Sequence, residues 1–385
     1  MTFENRYSAL DRLLHKLAFS TRKAQIGLAD IEEFIFRNRL GTHELRRPLF
    51  ITALPRAGTT LLLELCVASG EFVSHTYRNM PFVLIPMLWR RFSEGFRRSE
   101  APRERAHGDG MLVSVDSPEA FEESVWIAFW PDRYKHDRIM PWREEGDRVF
   151  RDFLENHFKK IVALSAQGRD AGTDVANRTA RYVSKNNLNI ARITWLARNF
   201  SDALFLIPFR DPIQHCASLL RQHLNFLEIH RRDPFAKSYM QGIGHFDFGD
   251  NLRPVDFDGW LARSKHSDPR EMGFWLEYWC AAYRSLIQEA TERVAFFDYD
   301  AFCTNPRLGL ERVADFIGVK NKEAFIVQAE RIHRPSVYDI DHSVVDNILV
   351  EKAKALHFRL QEISLVGACL ENEFGDRDAA VFKGV

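Results

Sequence analysis

The sequence predicts a three-layer α/β domain, with a central parallel sheet, helices on both of its faces and helical insertions. Three observations carry this. A short apolar run, a turn and a helical pattern follow one another at 48–69, at 203–223 and at 294–317. Repeated strand–turn–helix units are the pattern of a parallel sheet with crossover helices. Two stretches, at about 90–180 and 225–271, show weaker periodicity and many Asp, Arg, His, Gly and Pro residues. They are expected as insertions on the frame, where substrate contacts sit.

Residues from about Tyr7 to Arg39 read as one or two amphipathic helices. Leu10, Leu13, Leu14 and Leu17 recur at helical spacing, as do Ile31, Phe34 and Ile35, and these stripes are expected to face a core. Pro48 to Ala53 is a buried-strand run. After the turn 54–60, Leu61 to Ser69 is a helix, with Gly70 placed to end it. Tyr182 to Ser184 is a short strand ending at Lys185, followed by a helix from about Leu188 to Asn199. Ala203 to Phe209 is the next strand, ending at Arg210. Asp211-Pro212 then reads as a cap and a proline at the first helical position, opening a helix through Ser218 to about His223. Val294 to Phe297 is a strand. Asn305-Pro306 starts and Gly318 stops a helix over Leu308 to Ile317. The chain divides into a helical cap at 1–46, an α/β domain at 47–320 and a C-terminal helical extension at 321–385.

Composition narrows the partners. The 385 residues include 53 basic and 53 acidic side chains, for a formal net charge of +0. No field attracts nucleic acid, so an anion site must come from local placement of basic groups. The five cysteines, Cys66, Cys216, Cys280, Cys303 and Cys369, are scattered without metal spacing, as buried reduced thiols are. Asp11, Arg12, His15 and Lys16 interrupt any leader-like apolar stretch, and no apolar run is long enough to span a bilayer. A cytoplasmic protein without a transmembrane segment is expected.

The turn Leu54-Pro55-Arg56-Ala57-Gly58-Thr59-Thr60 joins a strand to a helix. A helix N-terminus offers N–H groups and a partial positive charge to an anion. Gly58 lets the backbone approach closely, Thr59 and Thr60 add hydroxyls, and Arg56 adds a forked cation. The spacing is not that of a nucleoside-triphosphate loop: Ala53 stands at its first glycine, Thr59 at its lysine, and the cation has moved to Arg56. The second strand–helix unit offers a partner site. Arg210 at a strand's C-terminal end points into the crevice where α/β proteins bind ligands. Ser218, eight residues on, can face the same crevice and help hold a dianion.

Pro55-Arg56-Ala57-Gly58-Thr59-Thr60 resembles the 5′-phosphosulfate loop of the sulfotransferase family, and the strand ending in Arg210-Asp211-Pro212, with Ser218, is similar to that family's 3′-phosphate motif. The pattern is nearest to the bacterial and tyrosylprotein-like branches. The resemblance spans roughly Pro48 to Gly318. It implies a P-loop-like fold and an enzyme that moves a sulfuryl group from 3′-phosphoadenosine 5′-phosphosulfate (PAPS) to an acceptor hydroxyl or amine. Arg56, Ala57, Gly58, Thr59 and Thr60 would hold the phosphosulfate, and Arg210 and Ser218 the 3′-phosphate. Arg56 would also stabilise the bridging oxygen. Lys185-Asn186 resembles a lysine-bearing strand end that reaches the sulfate. The family requires no metal. Phe296 to Gly318, with Asp298, Tyr299 and Asn305-Pro306, resembles a late structural segment.

The general base is the open position. Members with a glutamate base carry it a little over twenty residues past the loop cation, and here that region, Ser74 to Met80, has no glutamate. His107, in the turn-rich stretch His107-Gly108-Asp109-Gly110, leads the candidates. Glu119, Glu122 and Glu123 follow, then His75, with His245 a lesser option. Trp126, Trp130, Tyr134, Phe246, Phe248, Trp260, Trp275 and Trp279 line an acceptor pocket or, for most, the core. The acceptor is a carbohydrate, lipid, peptide or small molecule. The rival readings are a P-loop kinase or nucleoside-triphosphatase, and a non-catalytic nucleotide-binding protein on the same frame.

Overall fold

Three strands of the main sheet, at Leu49–Ile51, Leu204–Phe209 and Val294–Asp298, are short, mainly apolar runs buried on both faces, as strands of a helix-covered parallel sheet must be. In the computed structural model, the described residues are 9–93, 117–142, 146–165, 180–340 and 346–366, with two short strands at 103–104 and 112–113. In chain order the elements are α1 (Ala9–Ser20), α2 (Arg22–Leu40), β1 (Leu49–Ile51), α3 (Thr59–Ala68), β2 (Phe72–Val73) and α4 (Pro86–Ser93). A two-stranded ribbon of β3 (Arg103–Glu104) and β4 (Leu112–Val113) follows, then α5 (Glu123–Phe129) and α6 (Arg148–Ser165). Next come β5 (Arg181–Lys185), α7 (Ile193–Asn199), β6 (Leu204–Phe209), α8 (Pro212–Arg232), α9 (Pro234–Ile243) and α10 (Trp260–Arg263). The chain continues through α11 (Met272–Ile287), β7 (Val294–Asp298), α12 (Tyr299–Thr304), α13 (Pro306–Ile317), α14 (Lys322–Ile326) and α15 (Asn347–Glu362).

The main sheet has the order β2-β5-β1-β6-β7, and every pairing is parallel. Alternation along β1 separates two cores. Phe50 faces one side with Phe158, Phe200 and Phe205; Leu49 and Ile51 face the other with Leu62, Leu63, Leu206 and Val313. This is the expected three-layer arrangement. The chain runs from β1 to β2 on one side of the sheet and later from β5 across β1 to β6 on the other. The C-terminal ends of β5, β1 and β6 therefore border the crevice where such sheets bind ligands. Register aligns Ile51 with Lys185 and with Leu206.

The sequence reading meets its clearest correction at the N-terminus. Both helices form, but the apolar stripe faces outward: Leu10, Leu13, Leu17, Ile31, Phe34 and Ile35 are exposed. The inward face is His15, Ala18, Gln25, Ala29 and Glu32. Glu32 and Lys160 are both fully buried and lie 3.0 Å apart, and Glu32 also accepts the Leu88 N–H at 2.7 Å. A buried charge separated from its partner is strongly destabilising, so this pair fixes which face of α2 meets α6. Smaller differences follow from tertiary context. The stretch from 187 begins as a 3₁₀ segment, Asn187–Ala191, before α7, and α8 runs nine residues beyond His223 to Arg232. The expected insertions contain well-formed helices, among them α5, α6 and α9. Among the described residues no helix is long and apolar enough to cross a membrane. Cys66, Cys216, Cys280 and Cys303 are buried and free, while Cys369 lies outside the described residues.

Candidate active site

The loop after β1 turns sharply to reach α3. Arg56 takes φ of 70° and Gly58 φ of 87°. A Cβ on Gly58 would stand 2.1 Å from the Tyr299 ring, so both the dihedral and the close approach require glycine. Two side chains from outside the loop hold its carbonyls. His215 Nε2 donates to the Pro55 carbonyl at 2.8 Å, and Arg210 Nη1 donates to the Arg56 carbonyl at 3.4 Å. Trp279 Nε1 donates to His215 Nδ1 at 3.2 Å, which assigns the proton of that imidazole to Nε2. Burial pushes the His215 pKa down to about 3, so the ring is neutral.

Arg210 follows the end of β6 and is buried. Its Nε lies 3.2 Å from Asp300 Oδ1, and Asp300 also accepts the Asp211 N–H at 2.8 Å. Asp211 caps α8 as its sequence position predicts, accepting from the N–H groups of Ile213 and Gln214 at 3.0 and 2.9 Å. Ser218 is two turns into α8 and buried. Arg56 Nε donates to Ser218 Oγ at 3.4 Å, across 162 residues of sequence. The two loops read from sequence are thus one site: Arg56, Arg210 and Ser218 meet at the C-terminal edge of the sheet.

Lys185 closes β5 beside β1, with Nζ 4.0 Å from Glu119 Oε1. Glu119 also accepts the Ala120 N–H at 2.8 Å and the Tyr77 hydroxyl at 3.0 Å. Asn187 links this region to the loop, accepting from the Thr59 hydroxyl at 3.3 Å and donating to Asp247 at 3.2 Å. His245 Nε2 lies 3.9 Å from Asp247 Oδ2, and burial lowers the His245 pKa, with Lys185 acting in the same direction.

The remaining base candidates fall elsewhere. His75 is buried against His157, Nε2 to Nε2 at 2.8 Å, and contacts the Tyr182 hydroxyl at 3.3 Å. Glu122 accepts from Trp126 Nε1, Tyr182 and Asn189. Glu123 pairs with Arg192 at 2.9 Å and accepts from Asn186 at 2.7 Å and from Tyr134. These three are bound up in the wall of the core. His107 lies outside the described residues. Of the aromatic residues, Trp126, Phe246, Phe248, Trp260, Trp275 and Trp279 are buried in the core. Sequence reasoning missed His215, Asn187, Asp247 and Asp300. His215 stands one helical turn before Ser218 on the same face of α8, which is a usable signal. Asp247 and Asp300 reach the site through tertiary contacts that no local pattern announces.

A model of the Sulfotransferase family matches residues 48–246, a span that holds Arg56, Glu119, Lys185, Arg210, Ser218 and His245. No curated protein sequence matches the chain. Among solved structures, a sulfotransferase from Mycobacterium avium is 14% identical, with a TM-score of 0.50 over 94% of this chain and 89% of that one. A sulfotransferase from Mycobacterium tuberculosis is 13% identical, with a TM-score of 0.42 over 85% and 81% of the two chains. The sulfotransferase domain from the curacin biosynthetic pathway is 11% identical, with a TM-score of 0.33 over 83% and 98%. The first of these supports the fold.

Proposed function

The chain belongs to the sulfotransferase family, and from that premise we propose that it moves a sulfuryl group from PAPS to an acceptor hydroxyl or amine by in-line displacement. The observation that carries the proposal is the meeting of the two phosphate-binding arms, with Arg56 Nε 3.4 Å from Ser218 Oγ. A donor with phosphates at both the 3′ and 5′ positions suits a site whose two anion-binding arms face one another.

Roles follow from position. The N–H groups at the start of α3, with Thr59 and Thr60, hold the 5′ end, and Arg56 stabilises charge on the bridging oxygen as the sulfur–oxygen bond breaks. Arg210 and Ser218 hold the 3′-phosphate. Lys185, at the end of β5, faces the sulfuryl oxygens. The acceptor oxygen or nitrogen attacks sulfur, its proton passes to the general base, and adenosine 3′,5′-bisphosphate leaves. Glu119 takes the role of base: its carboxylate lies beside Lys185, and Ala120 and Tyr77 fix its orientation. His107 is tested beside it. No metal is assigned a role, and the acceptor is drawn from carbohydrates, lipids, peptides or small molecules.

The test is nucleotide binding combined with transfer of labelled sulfate to a panel of acceptors. Arg210→Ala should weaken adenosine 3′,5′-bisphosphate about tenfold to hundredfold, the worth of a hydrogen bond to a charged group. Because Arg210 also holds the Arg56 carbonyl, adenosine 5′-phosphate should lose a smaller factor. Equal loss for both nucleotides would remove the 3′-phosphate assignment.

A further inference from the structure

Beyond α14 the chain returns to the site. Residues 332–340 form neither helix nor strand, yet Tyr338 is held at two points by one side chain. Its N–H donates to Gln214 Oε1 at 2.7 Å, and its carbonyl accepts from Gln214 Nε2 at 3.1 Å. Gln214 lies one helical turn before Ser218 on α8, so this clasp brings Tyr338 over the serine. The Tyr338 hydroxyl stands 3.3 Å from Ser218 Oγ, the oxygen that Arg56 Nε also reaches at 3.4 Å. The Arg221 guanidinium, a turn further along α8, lies 5.7 Å from the centre of the Tyr338 ring. Two hydroxyls and the Arg56 guanidinium, from three separate segments, thus meet at one point, with the Arg221 guanidinium beside the Tyr338 ring.

A half-buried tyrosine on an irregular segment can be held by its ring alone. Here the side-chain amide of Gln214 spends both of its polar atoms on the Tyr338 backbone, and the ring's polar end points at a buried serine. That arrangement positions a hydroxyl. We infer that Tyr338 is a further ligand of the donor's 3′-phosphate, and that residues 332–340 form the wall of that subsite opposite β6. The ligand class is a ribose 3′-phosphate monoester. This rests on the reading that Arg210 and Ser218 take the 3′-phosphate. Both hydroxyls would turn their protons toward the dianion, since hydrogen bonds to ionised oxygen are the stronger kind.

Tyr338→Phe keeps the ring and the Gln214 clasp and removes only the hydroxyl. By calorimetry, adenosine 3′,5′-bisphosphate should bind about tenfold more weakly to it, with adenosine 5′-phosphate within about twofold of the parent. Ser218→Ala should show the same selectivity. Gln214→Ala, which frees the segment and leaves the hydroxyl in place, should also weaken the bisphosphate. If Ser218→Ala separates the two nucleotides while Tyr338→Phe binds both as the parent does, the inference falls and the 3′-phosphate reading stands. Equal weakening of both nucleotides by Tyr338→Phe would also overturn it, since the hydroxyl would then act on a part that both nucleotides share and not on the 3′-phosphate. If none of these variants, nor Arg210→Ala, separates the nucleotides, the 3′-phosphate site lies elsewhere and both readings fall.

Discussion

Acidification should weaken this fold through histidines that it keeps neutral. His215 and His75 are both buried, and burial pushes each pKa down to about 3. For His215 geometry requires the neutral form independently, and for the His75–His157 contact it requires at least one neutral ring. His215 accepts from Trp279 through Nδ1, and a protonated ring has no acceptor. His75 and His157 face each other through Nε2 at 2.8 Å, where one nitrogen must donate and the other accept. In the unfolded chain each ring has an ordinary pKa near 6.5. Between that value and about 3 the unfolded state binds more protons. The stabilisation is therefore complete above pH 6.5 and is lost as pH falls toward 3. At about pH 5 the loss is about 1.5 pKa units for each ring, or about 2 kcal/mol, hence about 4 kcal/mol for the pair. Typical stabilities are about 5–15 kcal/mol, so the effect is large. The perturbation that isolates one ring is His215→Gln, whose amide donates to the Pro55 carbonyl without titrating. Urea unfolding of parent and variant at about pH 7.5, 6.5 and 5 gives the slopes. The variant should lose about 2 kcal/mol less than the parent over that range, the share of His215 alone. Identical slopes, or a parent as stable at pH 5 as at 7.5, would refute the reasoning.

The base prediction separates binding from chemistry. Glu119→Gln should lower turnover roughly 10²–10⁴-fold with adenosine 3′,5′-bisphosphate binding within about twofold, whereas Arg56→Ala should impair both. His107→Ala belongs in the same kinetic series: a large loss there with near-normal Glu119→Gln would move the role to His107. Stabilisation is assigned to Arg56, Lys185 and loop N–H groups, so turnover should survive EDTA. Abolition by EDTA and rescue by magnesium would favour a kinase-like reading.

The parts of the fold legible in sequence are those whose signals are local. The units around β1, β6 and β7 each combine an apolar run, a cap and a stop, and each formed within a few residues of expectation. Asp211 caps α8 and Gly318 ends α13 in the left-handed region, both as their sequence positions imply. The fifth strand, β2, has two residues and leaves no periodicity to detect. The N-terminal helices failed for a different reason. Period identifies a stripe but not the direction it faces, and the buried Glu32–Lys160 pair turned the polar side inward. Helix α6 was hidden in the same way, because His157 and Lys160 interrupt its apolar pattern and yet are fully buried. For the candidate site, the three residues that meet, Arg56, Arg210 and Ser218, were legible as candidates because each belongs to a strand–turn–helix motif. The pairing of Glu119 with Lys185 was not, since 66 positions separate them and no spacing rule links them.

The two arms also depend on each other mechanically. Arg56 is not glycine, yet it occupies the left-handed region at φ 70°, a conformation that costs an L-residue about 1–2 kcal/mol. Such a residue persists where its surroundings over-determine it. The surroundings here are the Pro55 carbonyl held by His215 and the Arg56 carbonyl held by Arg210, and both donors belong to the second arm. On the proposed assignment, that arm binds one phosphate and also shapes the loop that binds the other. His215 and Ser218 stand one turn apart on α8, so an anion pulling on Ser218 acts on the same helix that fixes the loop. Arg210→Ala should therefore weaken adenosine 5′-phosphate as well as the bisphosphate, whereas Ser218→Ala, which leaves both carbonyl bonds in place and removes only the 3.4 Å contact from Arg56, should act mainly on the 3′ end.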